Sequence, residues 1–403
     1  MDNFNKKSNM IIILIFLFST LSTCNNVKSI SSNASLEIDL INNDNAVLFD
    51  SGNGELIKDM AGSVSSSLGA IDYDNDGDLD LIEGADNYIN ILTNKQGEFI
   101  RQSFYMLPNK NGYGDDLDRV PFPVGDFNND GKQDFLVGGV QGIIRLFINN
   151  NSQPDTPNFT NYTIAEFGQY VRGIAVADFN DDGWLDFAAS YATSPIEYST
   201  ITLFYNQGDL TFSQDNIYRL DDNYIQDLAT GDFDNDGDID LIFTKSIYKI
   251  KCDSWPINIK GTYVFLENNG NNSFPSERVI ATRGHDLPLY YGIVIHQLIQ
   301  QPIKHILGIN RFNPQMTTAD FDNDGDLDFV VGDNSGKIEL WLNDGQGNFE
   351  SNGVINRYGH LSWGLTSGDF DSDGDIDLLV SALPRYSDFF EGQIWLKKNQ
   401  LNP

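Results

Sequence analysis

Cysteine is almost missing from this chain: Cys24 and Cys252 are the only two in 403 residues. With Cys24 lipidated or removed, Cys252 would stand alone, and no disulfide framework is expected to supply rigidity. Histidine is scarce, at four, and none has the tight His-Glu-x-x-His spacing of a zinc site. Positive charge is also in short supply. Lys and Arg number 25 against 58 Asp and Glu, a formal net charge of −33. A surface of that sign repels phosphates, which argues against nucleic acid as a partner. There is no Gly-x-Ser-x-Gly elbow, no phosphate loop and no Cys/His pair in a supporting context, so the sequence nominates no catalytic residue.

What the chain has is aspartate, in a repeated nine-residue pattern. The clearest copy is Asp320-Phe-Asp322-Asn-Asp324-Gly325-Asp326-Leu-Asp328, with carboxylates at positions 1, 3, 5 and 9 and glycine at 6. Carboxylates at this density repel one another, and a hard cation with many oxygen ligands, calcium above all, removes that repulsion. Gly325 supplies a sharp turn that a residue with a Cβ resists. Position 7 offers its backbone carbonyl, which leaves its side chain free to vary.

Five further copies follow the same rule. They are Asp72, Asp74, Asp76, Asp78 and Asp80; Asp126, Asn128, Asp130, Lys132 and Asp134; and Asp178, Asn180, Asp182, Trp184 and Asp186. The last two are Asp232, Asp234, Asp236, Asp238 and Asp240, then Asp369, Asp371, Asp373, Asp375 and Asp377. The six loops hold 27 aspartates, nearly half of all the acidic residues, so up to six calcium ions are the expected cofactors. Copies 2 and 3 carry Asn at position 3 and should bind more weakly.

These are not helix-flanked EF-hands, which need a glutamate at position 12. Position 12 here is Glu83, Val137, Ala189, Phe243, Val331 and Val380. The flanks, such as Leu-Asp-Phe-Val-Val-Gly, are short β-branched and aromatic runs bounded by glycine, so each loop joins two strands. First aspartates recur at intervals of 54, 52, 54, 88 and 49 residues. A period near fifty with several short strands per unit predicts an all-β fold, a β-propeller of four-stranded blades. A second landmark, an aliphatic-aromatic strand ending in Asn94, Asn149, Asn206, Asn268 or Asn343, gives strand C, and a short aromatic-led strand D follows. Six loops predict six blades, with seven as the alternative.

The repeated Gly/Ala-Asp-Phe-(Asp/Asn)-x-Asp-Gly-x-x-Asp units resemble the FG-GAP/VCBS repeat family over roughly residues 36–400. That family includes the propeller of integrin α chains and many bacterial surface and secreted proteins. The resemblance implies a propeller, calcium in the A–B loops, and adhesion or ligand binding as the usual role. It implies no particular ligand.

Residues 1–24 read as a secretory signal, with Lys6 and Lys7 ahead of the apolar run Met10 to Phe18. That run is short for a membrane span. Leu21-Ser-Thr-Cys24 resembles a lipoprotein box, in which Cys24 would carry the lipid. Thr23 departs from the usual small residue, and ordinary cleavage nearby is the alternative. Residues 25–35 form a polar tether and residues 36–403 the propeller. The chain is thus expected outside the cell, secreted or at the cell surface, touching a membrane only through a lipid anchor. The last repeat ends after one C strand, Gln393–Leu396. An N-terminal strand around Ala46–Met60 is expected to complete that blade and close the ring.

The 88-residue interval contains two insertions, at about 246–260 and 286–313. Both connect strand ends opposite the aspartate loops. They are locally basic and aromatic, and give a candidate ligand face: Tyr248, Lys249, Lys251, Trp255, His285, Tyr290, Tyr291, His296, His305 and Arg311. An anionic protein or glycan is the expected ligand of a monomeric, non-catalytic module. The bland alternative is a small amphipathic cap with solvated lysines. A calcium-dependent polysaccharide lyase or hydrolase is the alternative function. The sequons at Asn158 and Asn161 would carry glycans only in a eukaryotic secretory pathway.

Overall fold

The structure, a computed structural model, describes residues 49, 54–60, 65–85, 88–106, 122–139, 142–152, 156–168, 170–193, 197–246, 258–270, 272–286, 315–333, 336–358, 361–383 and 392–400. The signal segment, Cys24, the tether and Cys252 lie outside these residues. The described residues belong to one compact unit, Asn43–Pro403. Among them are twenty-four strands and no helix.

Six four-stranded antiparallel sheets account for every strand. Blade 1 is β2 (Ser65–Ile71), β3 (Asp80–Ala85), β4 (Tyr88–Lys95) and β5 (Glu98–Met106). Blade 2 is β6 (Val124–Gly125), β7 (Asp134–Val137), β8 (Ile143–Asn149) and β9 (Phe159–Glu166). Blade 3 is β10 (Tyr170–Ala177), β11 (Asp186–Ala192), β12 (Tyr198–Asn206) and β13 (Phe212–Asp221). Blade 4 is β14 (Tyr224–Gly231), β15 (Asp240–Ser246), β16 (Asn258–Leu266) and β17 (Glu277–Asp286). Blade 5 is β18 (Gln315–Ala319), β19 (Asp328–Gly332), β20 (Lys337–Asn343) and β21 (Phe349–Arg357). Blade 6 is β22 (Leu361–Gly368), β23 (Asp377–Leu383), β24 (Gly392–Lys397) and, from the other end of the chain, β1 (Glu55–Met60).

The blade count is therefore six, and the seven-blade alternative falls. β1 pairs antiparallel with β24, Glu55 against Leu396 through Met60 against Gly392. Just before it, Phe49 bridges Asn399 and packs on Phe321 with ring centroids 6.1 Å apart. The closing strand is shorter than expected, but it takes the missing strand D position. Closure leaves no half-finished sheet with an exposed inner row of donors and acceptors.

Core residues come from both faces of every middle strand. Phe135, Leu136 and Val137 of β7 are all buried, as are Phe187, Ala188 and Ala189 of β11. Such continuous apolar runs mark strands covered on both sides, here by the neighbouring blades. Aromatic pairs tie B to C: Phe135 stacks on Phe147 at 4.8 Å, Phe187 on Phe204 at 4.5 Å, and Phe329 on Trp341 at 5.7 Å.

A small residue before each loop receives a side chain from the next blade. Leu185, Leu327 and Leu79, each at position 8 of a loop, press on Gly125, Gly231 and Gly368 of the preceding blade. Where that residue is Ala (Ala177, Ala319), position 8 of the next loop is Ile239 or Ile376. Where it is Ile71, position 8 is Gln133, which turns polar and accepts the Asp72 N–H at 2.7 Å. Size is thus matched across each seam.

Gly173 is a harder constraint. A Cβ there would lie 2.8–3.0 Å from the Leu228 nitrogen and Asp227 backbone of the next blade. Gly173→Ala is expected to destabilise by about 1–3 kcal/mol, the usual range for overpacking against atoms that cannot retreat. Gly125→Ala meets only the tip of Leu185 and is expected to cost less than 1 kcal/mol. Denaturant melts of both variants check this ordering.

Candidate metal centres

Every A–B loop is held by its own first and last aspartates. In loop 1, the Asp72 carboxylate accepts the N–H of Asp76 at 3.1 Å and of Gly77 at 3.1 Å. Asp76 accepts the N–H of Asp78 at 3.0 Å. The same bonds recur in loop 5 from Asp320 and Asp324, and in the other four loops. Position 9 is buried: Asp80, Asp134, Asp186, Asp240, Asp328 and Asp377 are at most 1% exposed. One oxygen accepts the position 2 N–H, as from Phe321 to Asp328 at 3.0 Å. The other accepts the N–H of the asparagine that ends strand C, as from Asn343 to Asp328 at 2.8 Å.

In four loops the carboxylates at positions 1, 3 and 9 converge: Asp72, Asp74, Asp80; Asp232, Asp234, Asp240; Asp320, Asp322, Asp328; and Asp369, Asp371, Asp377. Within each trio one oxygen per residue lies within 4.8 Å of the others. Position 5 stands outside the trio, with one oxygen turned to the position 7 N–H. Loops 2 and 3 differ because their position 3 is an amide. Asn128 Nδ2 donates to Asp130 at 3.2 Å, and Asn180 Nδ2 to Asp182 at 3.0 Å. These two loops balance part of their charge internally.

The trios concentrate negative charge, offset in loop 6 by Lys398, whose Nζ lies 3.2 Å from Asp371. Burial, opposed by the backbone N–H bonds and reinforced by neighbouring carboxylates, pushes Asp80, Asp134, Asp240, Asp328 and Asp377 up to about 7, and Asp186 up to about 6. Asp234 and Asp322 are also raised, first by burial and then by nearby aspartates. Their Oδ1 atoms are buried with no hydrogen-bond partner among the described residues. An orphaned oxygen beside two more carboxylates fits a divalent cation, which would satisfy all three at once.

The sign of the pH effect follows. In the metal-free protein the folded-state values lie above the unfolded value near 3.8. The folded chain then binds more protons than the unfolded chain between about pH 4 and 7. Stability from these groups is present at low pH and is lost as pH rises through that window. Melting temperature in chelator is expected to fall from pH 5 to pH 8. In calcium the slope should reverse, because binding requires the carboxylates deprotonated. Melts across that range check this. A metal-free profile that is flat or rises with pH would contradict it.

Two features of the loops escaped the sequence pattern. Position 4 sits in the left-handed region in all six copies, with φ of 54–60° at Asn75, Asn129, Asp181, Asn235, Asn323 and Ser372. Asn and Asp tolerate that conformation better than other residues with a side chain. Four of these asparagines reach to the next loop: Asn75 to Gly131 O, Asn129 to Gly183 O, Asn235 to Asp326, and Asn323 to Asp375, at 2.8–3.4 Å. The second feature is the strand C asparagine. Nδ2 of Asn149, Asn206, Asn343 and Asn399 donates to the position 2 carbonyl of the preceding loop, at 2.8–2.9 Å. The same side chain that buttresses position 9 therefore locks one blade to the last. The recurring Asn was visible in the sequence; its partner in another repeat was not.

The position 7 side chains stand apart from the trios. Asp326 and Asp375 accept the loop-to-loop bonds, and Trp184 covers Gly208. Lys132 and Trp184 take part in loop closure through their backbone N–H groups, which donate to position 5 at 3.0 and 2.9 Å.

At the opposite end, strand C of blade 4 begins at Asn258 and strand D runs to Asp286. The insertions therefore narrow to residues 247–257 and 287–314. Tyr248, Lys249, Lys251, Trp255, Tyr290, Tyr291, His296, His305 and Arg311 lie outside the described residues. His285 pairs with Ile259 through the backbone; its side chain is not described. Three bases counted in this basic stretch are used inside the scaffold. Lys245 pairs with Glu277 at 2.8 Å, Arg283 with Glu339 at 2.7 Å, and Arg278 bonds Gly347 O and Asn348 at the carboxylate end. A cluster that sequence reasoning missed lies at the base of the first insertion. Arg172 stands between the rings of Tyr170 and Tyr224, at 5.6 and 4.6 Å, and donates to Gln226. Gln226 in turn donates to Ser246, the last residue of β15. Tyr170 is 38% exposed.

The geometry defines a class: a six-bladed β-propeller with a ring of carboxylate loops at one end. A family model described as FG-GAP-like repeat matches residues 126–189 and 320–380, each span running from one carboxylate loop through the next. Those two stretches of the propeller are similar to FG-GAP-like repeats. A solved structure titled "Structure of Dos1 propeller" is similar to it at 12% identity and a TM-score of 0.42, over 82% of this chain and 77% of that one. No curated protein matches the sequence.

Proposed function

We propose that this is an exported calcium-binding propeller that serves as a non-catalytic ligand-binding module, with its partner, an anionic protein or glycan, held at the end opposite the carboxylate loops. The observation that carries the calcium part is the four aspartate trios, two of them with a buried orphan oxygen. Asp72, Asp74 and Asp80 and their counterparts at positions 1, 3 and 9 would hold the ion. Position 5 and the position 7 carbonyl would complete an oxygen shell of the kind calcium takes. Outside a cell, calcium at millimolar levels fills even weak sites.

The ligand part is supported by the division of the molecule into two ends. One end is spent on the cation loops and their cross-links. The other carries both long insertions and the Tyr170–Arg172–Tyr224 cluster. Long loops and exposed aromatic–arginine groups on a rigid scaffold are the usual material of recognition. The test is binding to glycan and acidic-protein arrays by the full chain in calcium, beside a variant with residues 247–257 and 287–314 replaced by short turns. Binding that needs the insertions supports this reading. Binding that survives their removal refutes the assignment of the ligand end, and turnover of a glycan without lasting binding refutes the non-catalytic part.

A further inference from the structure

The four trios and their two amide variants are not equal, and one position per blade differs most in charge. The residue after each position 9 aspartate pairs with a fixed place on strand C: Leu81 with Leu92, Phe135 with Phe147, Phe187 with Phe204, Leu241 with Leu266, Phe329 with Trp341, and Leu378 with Lys397. One residue further along strand C, just before the clasping asparagine, stand Thr93, Ile148, Tyr205, Glu267, Leu342 and Lys398. Four of these are uncharged, and Thr93 is bonded to the Tyr73 hydroxyl at 2.9 Å. The other two carry opposite charges.

Lys398 shows where this position points. Its Nζ lies 3.2 Å from Asp371 Oδ2, the position 3 carboxylate of loop 6, and 3.8 Å from Glu55 on the ring-closing strand. The equivalent residue in blade 4 is Glu267, which follows Leu266, the partner of Leu241, and precedes Asn268, and so stands at the register position from which Lys398 reaches the position 3 carboxylate. So the same register position addresses the same ligand, once with an ammonium and once with a carboxylate.

We propose that the residue preceding the strand C asparagine sets the cation affinity of its loop. Glu267 adds a further negative charge beside the trio of loop 4 and makes it the tightest of the six. Lys398 supplies loop 6 with an internal cation and makes it weaker than loops 4 and 5. A calcium ion entering loop 6 must displace the ammonium from Asp371, and Glu55 is the group placed to receive it. Filling of loop 6 therefore strengthens a contact to β1, the strand that closes the ring. This rests on the reading of the loops as calcium sites.

The test uses the full chain, stripped by chelator and titrated with calcium by calorimetry, with bound metal counted per chain. Site occupancy is read from anomalous scattering in crystals grown at limiting calcium. Loop 4 is expected to fill first, and loop 6 after loop 5. Lys398→Met should tighten the loop 6 step about fivefold, the upper end for an exchange at a half-exposed ion pair. Lys398→Glu should tighten it further, and Glu267→Gln should weaken the loop 4 step alone. Lys398→Gln serves if the methionine variant fails to fold. Calcium binding that is unchanged in the Lys398 and Glu267 variants, with the metal count intact, would overturn this proposal and leave the loops as calcium sites. No calcium binding in the parent protein would overturn both.

Discussion

Removing calcium is expected to lower the melting temperature of this protein by at least about 15 °C. Two cysteines give no disulfide framework, and the formal net charge is −33. Four trios of carboxylates are brought within 4.8 Å, and Lys398 sets an ammonium 3.2 Å from one of their members, Asp371. An ion that binds only the folded state stabilises by about 2.7 kcal/mol at a hundred times its Kd. Four such sites give on the order of 11 kcal/mol, comparable with the whole stability of an ordinary domain. At about 2 °C or somewhat less per kcal/mol for a unit of this size, the shift is large. Calorimetric melts with calcium and with chelator, beside a metal count, measure it. A melt indifferent to chelator in a protein without metal would reduce the aspartate loops to acidic turns.

Deleting residues 1–60 is expected to abolish the stable monomer, while deleting residues 1–42 leaves the melt unchanged. The longer deletion removes β1 and with it the pairing from Glu55–Leu396 to Met60–Gly392. It also removes Phe49, which is 4% exposed and alone stands for about 1.5–3 kcal/mol of burial. β24 then presents an open edge, and open edges recruit other chains. Size-exclusion chromatography should show dimers or larger species, and circular dichroism a broadened melt. A peptide of residues 43–60 added in trans should restore the monomer. A truncated chain that stays monomeric with the parent melt would show that β1 does not close the ring.

Much of this architecture could be read from the chain because the motif is local. The nine-residue loop, the strand flanks and the fifty-residue period all lie within one repeat, and they carried the blade count and the place of the missing strand. What could not be read was anything made between repeats. Gln133 stands where other loops carry an aliphatic residue, and its amide oxygen accepts the Asp72 N–H of the preceding blade. Asn343 looked like a turn residue, yet its amide is spent on Phe233 in another blade. Linear composition cannot tell that, of the bases between and beside the two insertions, Arg278 lies at the carboxylate end while Lys245 and Arg283 are paired.

The position 4 asparagines have a mechanical consequence. Each passes a hydrogen bond forward, from loop 1 to 2 and 2 to 3, and again from 4 to 5 and 5 to 6. At loop 3 the residue is Asp181, which has no amide hydrogen to give, and at loop 6 it is Ser372, too short an arm to carry the link. The loop end is therefore two hoops of three rather than one of six. Under tension the load would concentrate at the seams between blades 3 and 4 and between blades 6 and 1. Only the second of those seams adjoins the blade fastened by the chain's own N-terminal strand, so a stretched ring should tear first between blades 3 and 4.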